Sequence, residues 1–323
     1  MTDQKSNSAS KLSSHETAVG GSNSPKDVER AQSNQNMSLW KYLMQDVDPK
    51  QTVGPLAAYC FMTGYIDVIS FSAIFVWCGF QTGNFAQKPV NRLNLLSDVI
   101  SFSAIFVWCG FQTGNFAQLA LALARLFEGP PGFRDTSFHI ADQQALCSLL
   151  SFQLGAFFGR LGDKIGPHKR IWLIFGTFMQ AVLTMAGAIA FWKSGEPSIS
   201  GARDDPAWHN VLTFVGLAFM SASLGTQGIV GKRLNTQFGT TIVLTTVWVE
   251  LLTDPGLFQI RKRVMSRDHR LIAAISLFLG AFIGRAILGK LGTAGALGVA
   301  VGFRVLMSLQ WIFVPSKAQP ARS

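Results

Sequence analysis

The feature that most constrains this chain is the length of its apolar runs. Beyond Val53 the apolar residues gather in stretches of about 20, the length that an α-helix needs to cross a hydrocarbon core of roughly 30 Å. Long runs occur at residues 53–80, 146–161, 171–192, 211–230, 271–288 and 294–314. A soluble protein would show amphipathic periods of 3.6 or 2 instead. We therefore predict an all-α integral membrane protein with about six transmembrane helices.

The charge pattern indicates the same class of protein. Only 14% of the residues are charged, whereas a soluble domain has roughly 25%. A net charge of +10 is compatible with nucleic-acid binding, but the Lys and Arg residues lie in short clusters between the apolar runs. Basic loops beside membrane helices explain such clusters better. We expect the lipid bilayer, and no nucleic acid, as the main partner.

The two ends of the chain differ from its middle. Residues 1–37 are rich in Ser, Asn, Gln and Lys and predict a disordered cytosolic tail. In residues 38–48, Leu39, Trp40 and Leu43 share one helical face, which predicts an amphipathic helix on the membrane surface. The membrane domain is expected at residues 53–316, with halves at about 53–192 and 208–316. Residues 317–323 form a second cytosolic tail.

One segment occurs twice without a single change. The sequence DVISFSAIFVWCGFQTGNFAQ stands at residues 67–87 and again at residues 98–118, 31 residues later. Internal repeats that serve a structure drift apart with time. Identity therefore indicates either a recent tandem duplication or an error in the gene sequence. Removing 31 residues leaves one copy of the segment, joined smoothly to Ile66 before it and to Leu119 after it, so we take the shortened chain as the ancestral design.

An older repeat relates the two halves of the chain. LGAFFGR at residues 154–160 matches LGAFIGR at residues 279–285, at an offset of 125 residues. The paired glycines in each copy are small-xxx-small spacings, which let membrane helices approach closely. Two shorter apolar runs, at residues 119–127 and 240–252, lie before these segments. Each half thus contains long spans and one short, polar-interrupted run.

Basic residues decide how the halves are oriented. Clusters at residues 160–170, 232–233 and 261–270 all belong on the cytosolic side by the positive-inside rule. Both flanks of the run at 240–252 then lie on one side, so this run is predicted to be re-entrant. The prediction is two inverted three-span repeats plus two short re-entrant or broken segments, with the amino and carboxyl termini both cytosolic.

The short runs contain the first candidates for a binding site. Inverted repeats with polar-interrupted segments are typical of secondary transporters, whose sites lie near the bilayer midplane. Gly-Asn dipeptides tend to break helices and expose backbone groups there. The alternative is that the Thr residues bond only their own backbone carbonyls. The candidates are Thr113, Gly114 and Asn115 (or the copies Thr82, Gly83 and Asn84), with Thr240, Thr241, Thr245 and Thr246.

Ionisable residues within apolar runs are the second set of candidates, because they are costly in a membrane and tend to be functional. Asp67, Glu250 and Arg304 are such residues. We expect Arg304 to pair with a carboxylate, preferably Asp67, either as a structural ion pair or as a coupling site.

No enzyme is predicted from the sequence. The four cysteines and five histidines lack metal-ligand spacing. We find no Ser/His/Asp or Cys/His arrangement and no glycine-rich nucleotide fingerprint. We therefore expect no catalytic residue, no metal site and no cofactor.

Several motifs together resemble those of the YoaK-like family of multi-pass membrane proteins, which carry an uncharacterised domain. They are Thr63-Gly64-Tyr65-Ile66-Asp67, Thr113-Gly114-Asn115, the two LGAFxGR segments and Leu224-Gly225-Thr226-Gln227. The resemblance covers residues 53–314 once one duplicate is removed, and Gln227 joins the binding candidates. It implies a compact helical membrane domain and no known activity. Thr245-Thr246 departs from it by replacing a second Thr-Gly.

Two classes of function remain. The first is a secondary transporter of a small solute or ion, which the repeats and the intramembrane polar residues favour. The alternative is a non-transporting membrane scaffold or regulatory subunit. Solute-dependent protection of engineered cysteines in the short runs distinguishes the two.

Overall fold

The computed structural model describes residues 38–74, 109–110, 112–128, 130, 134–196, 208–242, 244–259 and 261–317. Within these residues the chain is helical, and its only strand-like pairings are two isolated bridges. The helices are α1 Leu39–Leu43, α2 Val53–Ile74, α3 Gln112–Arg125, α4 Ile140–Gly159, α5 Leu161–Ile165, α6 Arg170–Ser194, α7 Val211–Arg233, α8 Leu244–Leu252 and α9 Met265–Phe313, with a 3-10 turn at Pro49–Gln51.

Five of the helical segments are long and apolar enough to cross a membrane. They are α2, α4 with α5, α6, α7 and α9. Many large apolar side chains on these helices point outward, such as Phe157 and Phe282, which are 64% and 66% exposed. A lipid environment covers side chains of this kind. The predicted class, an all-helical chain with several apolar spans, is confirmed.

Helix α9 joins two of the predicted runs into one element. It has 49 residues and would be about 74 Å long at a rise of ~1.5 Å per residue, more than twice a hydrocarbon core. At Gly292, however, the backbone is not helical, with φ 69° and ψ −178°. Only glycine adopts these angles readily. We call the parts on either side of Gly292 α9a (residues 265–291) and α9b (residues 293–313).

Helix α9a runs parallel to α2. Gly280 lies against the backbone of Phe61, and Gly284, one turn later, lies against Tyr65. The positions therefore increase together along the two helices. The close approach is possible because both contacts on α9a are glycines.

Helix α9b runs antiparallel to α2. The Tyr65 hydroxyl donates to the carbonyl oxygen of Ala296 at 2.8 Å, while the rings of Phe61 and Phe303 pack edge to face at 5.5 Å. A later residue of α9b thus meets an earlier residue of α2. Since α9a runs the other way, α9a and α9b form a helical hairpin that turns at Gly292.

Helices α4 and α7 pack as α9a and α2 do. Gly155 on α4 lies against the backbone of Ala222 on α7, just as Gly280 on α9a lies against Phe61 on α2. At both places an added Cβ would fall closer than 3.0 Å to a backbone carbonyl oxygen. The two LGAFxGR segments therefore make equivalent contacts, each with a helix of the other half.

Three separate parts of the chain meet at one end of the molecule. Asp46 bridges to Lys169, and Val47 bridges to Ser316. The buried Arg170 guanidinium donates to the carbonyl oxygen of Val314 at 2.7 Å. The start of α2, the α4–α6 connection and the end of α9b are thereby tied together.

The structure corrects two local predictions. The amphipathic helix expected at residues 38–48 ends at Leu43, and residues 46–47 are extended because they make the bridges described above. Gly114 and Asn115 do not break a helix; both lie within α3. The predicted tail at residues 1–37, all of the predicted tail at 317–323 except Lys317, and the linker of the duplication fall outside the described residues.

Candidate functional site

A buried arginine occupies the middle of α9b. The side chain of Arg304 is 0% exposed. Its Nη1 donates to Oε1 of Gln180 on α6 and, at 3.4 Å, to Oε1 of Gln227 on α7, while Nη2 donates to the Ser223 hydroxyl at 3.3 Å. All three partners are neutral. Helices α6, α7 and α9b are thus joined around one cation.

Gln227 connects this arginine to α2. Its Nε2 donates to the Tyr59 carbonyl oxygen at 2.9 Å, to the Thr63 hydroxyl at 2.8 Å and to the Thr241 hydroxyl at 3.3 Å. Thr63 in turn donates to the Thr241 carbonyl oxygen at 2.9 Å. Thr241 precedes α8 and has a positive φ of 63°. One amide therefore joins α2, α7 and the start of the second short run.

Thr177 and Trp311 join the same network through Tyr59. The Tyr59 and Thr177 hydroxyls are 2.5 Å apart, and the indole Nε1 of Trp311 donates to the Thr177 hydroxyl at 2.9 Å. Gln180 Nε2 approaches the Tyr59 hydroxyl at 3.5 Å. We call the whole set the Arg304 cluster: Tyr59, Thr63, Thr177, Gln180, Ser223, Gln227, Thr241, Arg304 and Trp311.

The cluster follows from single polar residues placed in apolar helices. Each such residue must find a hydrogen-bond partner inside the protein, because lipid offers none. The members are at most 3% exposed. Hydrogen bonding among the four helices and Thr241 meets this requirement and holds the polar groups together.

Asp67 lies in a second polar group. Its Oδ1 accepts a hydrogen bond from the Gly110 amide at 2.7 Å. Beyond Gly110, the Asn115 side chain donates to the Ser148 hydroxyl at 3.0 Å, and Ser148 lies 2.8 Å from the Ser221 hydroxyl. This group joins α2, the segment before α3, α4 and α7.

The predicted pairing of Arg304 with Asp67 is wrong. Among the described residues, no carboxylate lies within 4.0 Å of Arg304 and no cationic side chain lies that close to Asp67. Glu250 is exposed and pairs with Arg270 at 3.2 Å. The sequence placed three charges in the membrane, but it did not show which helices bring them together.

The other predicted site residues also fall into two groups, those that are buried in a polar cluster and those that are not. Gln227 and Arg304 come together in the Arg304 cluster, and Thr241 joins them. Asn115 is buried beside Ser148. Four candidates are exposed and lie outside the Arg304 cluster: Thr113, Thr245, Thr246 and Glu250. Gly114 is half-buried on α3, Thr240 is half-buried beside Thr241, and the copies Thr82, Gly83 and Asn84 fall outside the described residues.

Sequence reasoning missed most of the cluster. Gln180 was the best signal, because it is the only amide side chain in the apolar run at residues 171–192. Ser223 and Thr177 carry no such signal, since hydroxyls are common in membrane helices and often bond their own backbone. Thr177 does so too, donating to the Leu173 carbonyl oxygen at 2.7 Å.

The contact of Asp67 with Gly110 bears on the duplication. Asp67 belongs to the first copy and Gly110 to the second, and residues 75–108 between them fall outside the described residues. Removing residues 75–105 leaves residues 106–108 to connect Ile74 to Cys109. This link reaches about 15 Å, whereas α2 rises only about 10 Å from Asp67 to Ile74. The shortened chain can therefore form the same contact.

We predict that deleting residues 75–105 leaves the protein at least as abundant and as heat-stable as the full chain. Fluorescence-detected size-exclusion of the tagged protein, before and after heating, measures both properties. Asp67→Asn serves as the control and should lower stability equally in the long and short chains. Aggregation of the short chain, or an Asp67→Asn effect in only one chain, would contradict the prediction.

Comparison with known proteins gives a family but no activity. A family model described as a protein of unknown function, DUF1275, matches residues 96–310. The match begins just before the second copy of the duplicated segment and ends within α9b. Neither a comparison with curated proteins nor one with solved structures finds a match.

Proposed function

Because the chain belongs to the DUF1275 family, whose function is unknown, we propose that it is a secondary transporter of a small solute that binds at the Arg304 cluster. The observation that carries the proposal is the buried, polar contact of α2, α6, α7 and α9b around a cation that has no carboxylate within 4.0 Å in the part of the chain that the structure describes. In secondary transporters with inverted repeats, the site lies near the midplane where the two repeats meet. The resemblance to the YoaK-like family is part of this proposal.

The helix directions support an inverted arrangement of six crossings. Helix α6 runs antiparallel to α9b, since Gln180 meets Arg304 and Thr177 meets Trp311. Helix α7 runs antiparallel to α6, since Gly187 lies beside Gly216 and the earlier Gly176 lies beside the later Val230. Together with the contacts of α2 and α4, this makes α2, α4, α6, α7, α9a and α9b alternate in direction. The first helices of the halves, α2 and α7, are then opposed.

The charges support a cytosolic position for both termini. Asp163, after α4, pairs with Arg233, at the end of α7, at 2.7 Å. The basic connections after α4 and α7 therefore lie at one end, which is also where residues 45–48 meet residues 314–317. The positive-inside rule assigns such an end to the cytosol.

Access to the Arg304 cluster from both sides tests the proposal. Each native cysteine is first replaced by alanine, and Ser223→Cys then reports on water at the cluster. In a transporter that alternates between two open states, a membrane-impermeant thiol reagent should label this cysteine from the outside in right-side-out vesicles and from the inside in inverted vesicles. Labelling is measured by the mass shift of the protein.

Leu306→Cys is the matched control. Leu306 lies two residues after Arg304 and is 64% exposed on the outer face of α9b, so lipid should protect its cysteine from the reagent on both sides. If Ser223→Cys resists labelling from both sides, or is labelled from one side only, the transporter proposal fails. The alternative, a non-transporting scaffold or regulatory subunit, would then be favoured.

A further inference from the structure

The guanidinium of Arg304 has more donors than its neighbours use. Nη1 is engaged by Gln180 and Gln227, and Nη2 has one hydrogen bond of 3.3 Å to Ser223. Nε is buried and has no hydrogen-bond partner among the described residues. The edge formed by Nε and Nη2 is therefore under-used.

The charge of Arg304 is also uncompensated. Neutral amide and hydroxyl oxygens accept its hydrogen bonds but do not neutralise it. An arginine at the centre of a membrane helix is energetically costly, and a protein retains such a group for structure or for binding. Within the described residues the charge has no carboxylate within 4.0 Å, so a negative charge is the complement that is missing.

We propose that the solute bound at Arg304 is a small oxyanion, either an organic carboxylate or an inorganic oxyanion, held by Nε and Nη2. The two N–H groups on one edge of a guanidinium match two oxygens of such an anion, and charge-assisted bonds of this kind are about twice as strong as neutral ones. The proposal rests on the proposed function, because it names the class of solute for the same site.

The neighbouring groups favour an anion over a cation. The Ser223 hydroxyl donates its single proton to the Met220 carbonyl oxygen at 2.8 Å, and the Tyr59 hydroxyl bonds that of Thr177, so the donors left for a ligand are those of Arg304. A cation would meet the Arg304 charge without any described carboxylate to offset it, and like charges in a buried site repel strongly. The charge of the Arg304 cluster therefore favours a negatively charged solute.

Thermal unfolding of the purified full chain tests the proposal. Sodium acetate and sodium sulfate are compared with sodium chloride at equal ionic strength, and with glycerol, by intrinsic tryptophan fluorescence. A ligand that binds only the folded protein raises Tm with its concentration. We expect acetate or sulfate to raise Tm by at least about 2 °C beyond chloride, and which of them does so separates a carboxylate from an inorganic oxyanion.

Variants locate the effect. Arg304→Gln should abolish the Tm shift, and Arg304→Lys, which keeps the charge but lacks the two-pronged edge, should weaken binding at least about tenfold. Arg285→Gln is the control. Arg285 is half-buried on α9a, and its Nη1 also has no hydrogen-bond partner among the described residues, yet its loss should leave the shift in Tm intact. If Arg304→Gln does not fold, the Tm shift of Arg304→Lys and the dependence of the wild-type Tm on oxyanion concentration still test whether the anion binds at Arg304.

The outcomes separate this proposal from the transporter. If no oxyanion raises Tm more than chloride does, or if the shift disappears in Arg285→Gln instead, the oxyanion proposal is overturned, while labelling of Ser223→Cys from both sides would leave transport standing. If the shift depends on Arg304 but Ser223→Cys is reached from one side only, the anion site stands and transport fails.

Discussion

Replacing Gly280 with alanine should cause a severalfold loss of folded protein. Gly280 on α9a lies against the backbone of Phe61, and the new Cβ would fall closer than 3.0 Å to the Phe61 carbonyl oxygen. A helix backbone cannot relieve this clash by a change of rotamer, so α9a and α2 must move apart and lose packing contacts. Overpacking of this kind costs about 1–3 kcal/mol, and 1–2 kcal/mol is enough to change cellular abundance several-fold.

Two further glycines make this prediction specific. Gly155→Ala should cause a loss of similar size, because Gly155 meets Ala222 as Gly280 meets Phe61. Gly298→Ala on α9b is the control, since an added Cβ there would have nothing within 4 Å. Fluorescence-detected size-exclusion and heating curves measure all three variants. A stable Gly280→Ala, or an unstable Gly298→Ala, would show that the described helix contacts are incorrect.

The second large effect is expected from Gln227→Leu. Leucine has a similar size but removes a donor that reaches Tyr59 and Thr63 and an acceptor that Arg304 uses. Each buried polar group left without a partner costs about 1–3 kcal/mol, and together we expect a loss of about 2–5 kcal/mol. The protein should become scarce and unfold at lower temperature. Gln153→Leu, on the exposed face of α4, should change stability little.

Double variants test which residues act as partners. Gln227→Leu and Arg304→Gln share a hydrogen bond, so their combined loss should be smaller than the sum. Asp67→Asn and Arg304→Gln should instead add, because the structure gives these residues no contact. If the Asp67 and Arg304 double variant instead recovers stability, the two side chains interact, as the ion pair predicted from the sequence requires.

The sequence alone determined the helical class and the extent of most spans. The predicted runs at residues 171–192 and 211–230 lie within α6 Arg170–Ser194 and α7 Val211–Arg233. This is possible because the free energy of placing a helix in lipid depends mainly on its composition and length. The LGAFxGR segments were likewise identified as packing surfaces, since small residues at this spacing have one common use in membranes.

Only the tertiary structure decided which polar residues form a site. The partners of Arg304 stand 124 and 77 residues away in the chain, and nothing in the local sequence of α9b distinguishes Gln180 from Asp67 as a neighbour. The rotation of each helix about its axis determines which polar side chains face the protein interior. It places Gln227 in the interior and leaves Thr245 exposed. That rotation depends on helix–helix packing, such as the glycine contacts of α9a with α2, and packing is a property of the whole fold.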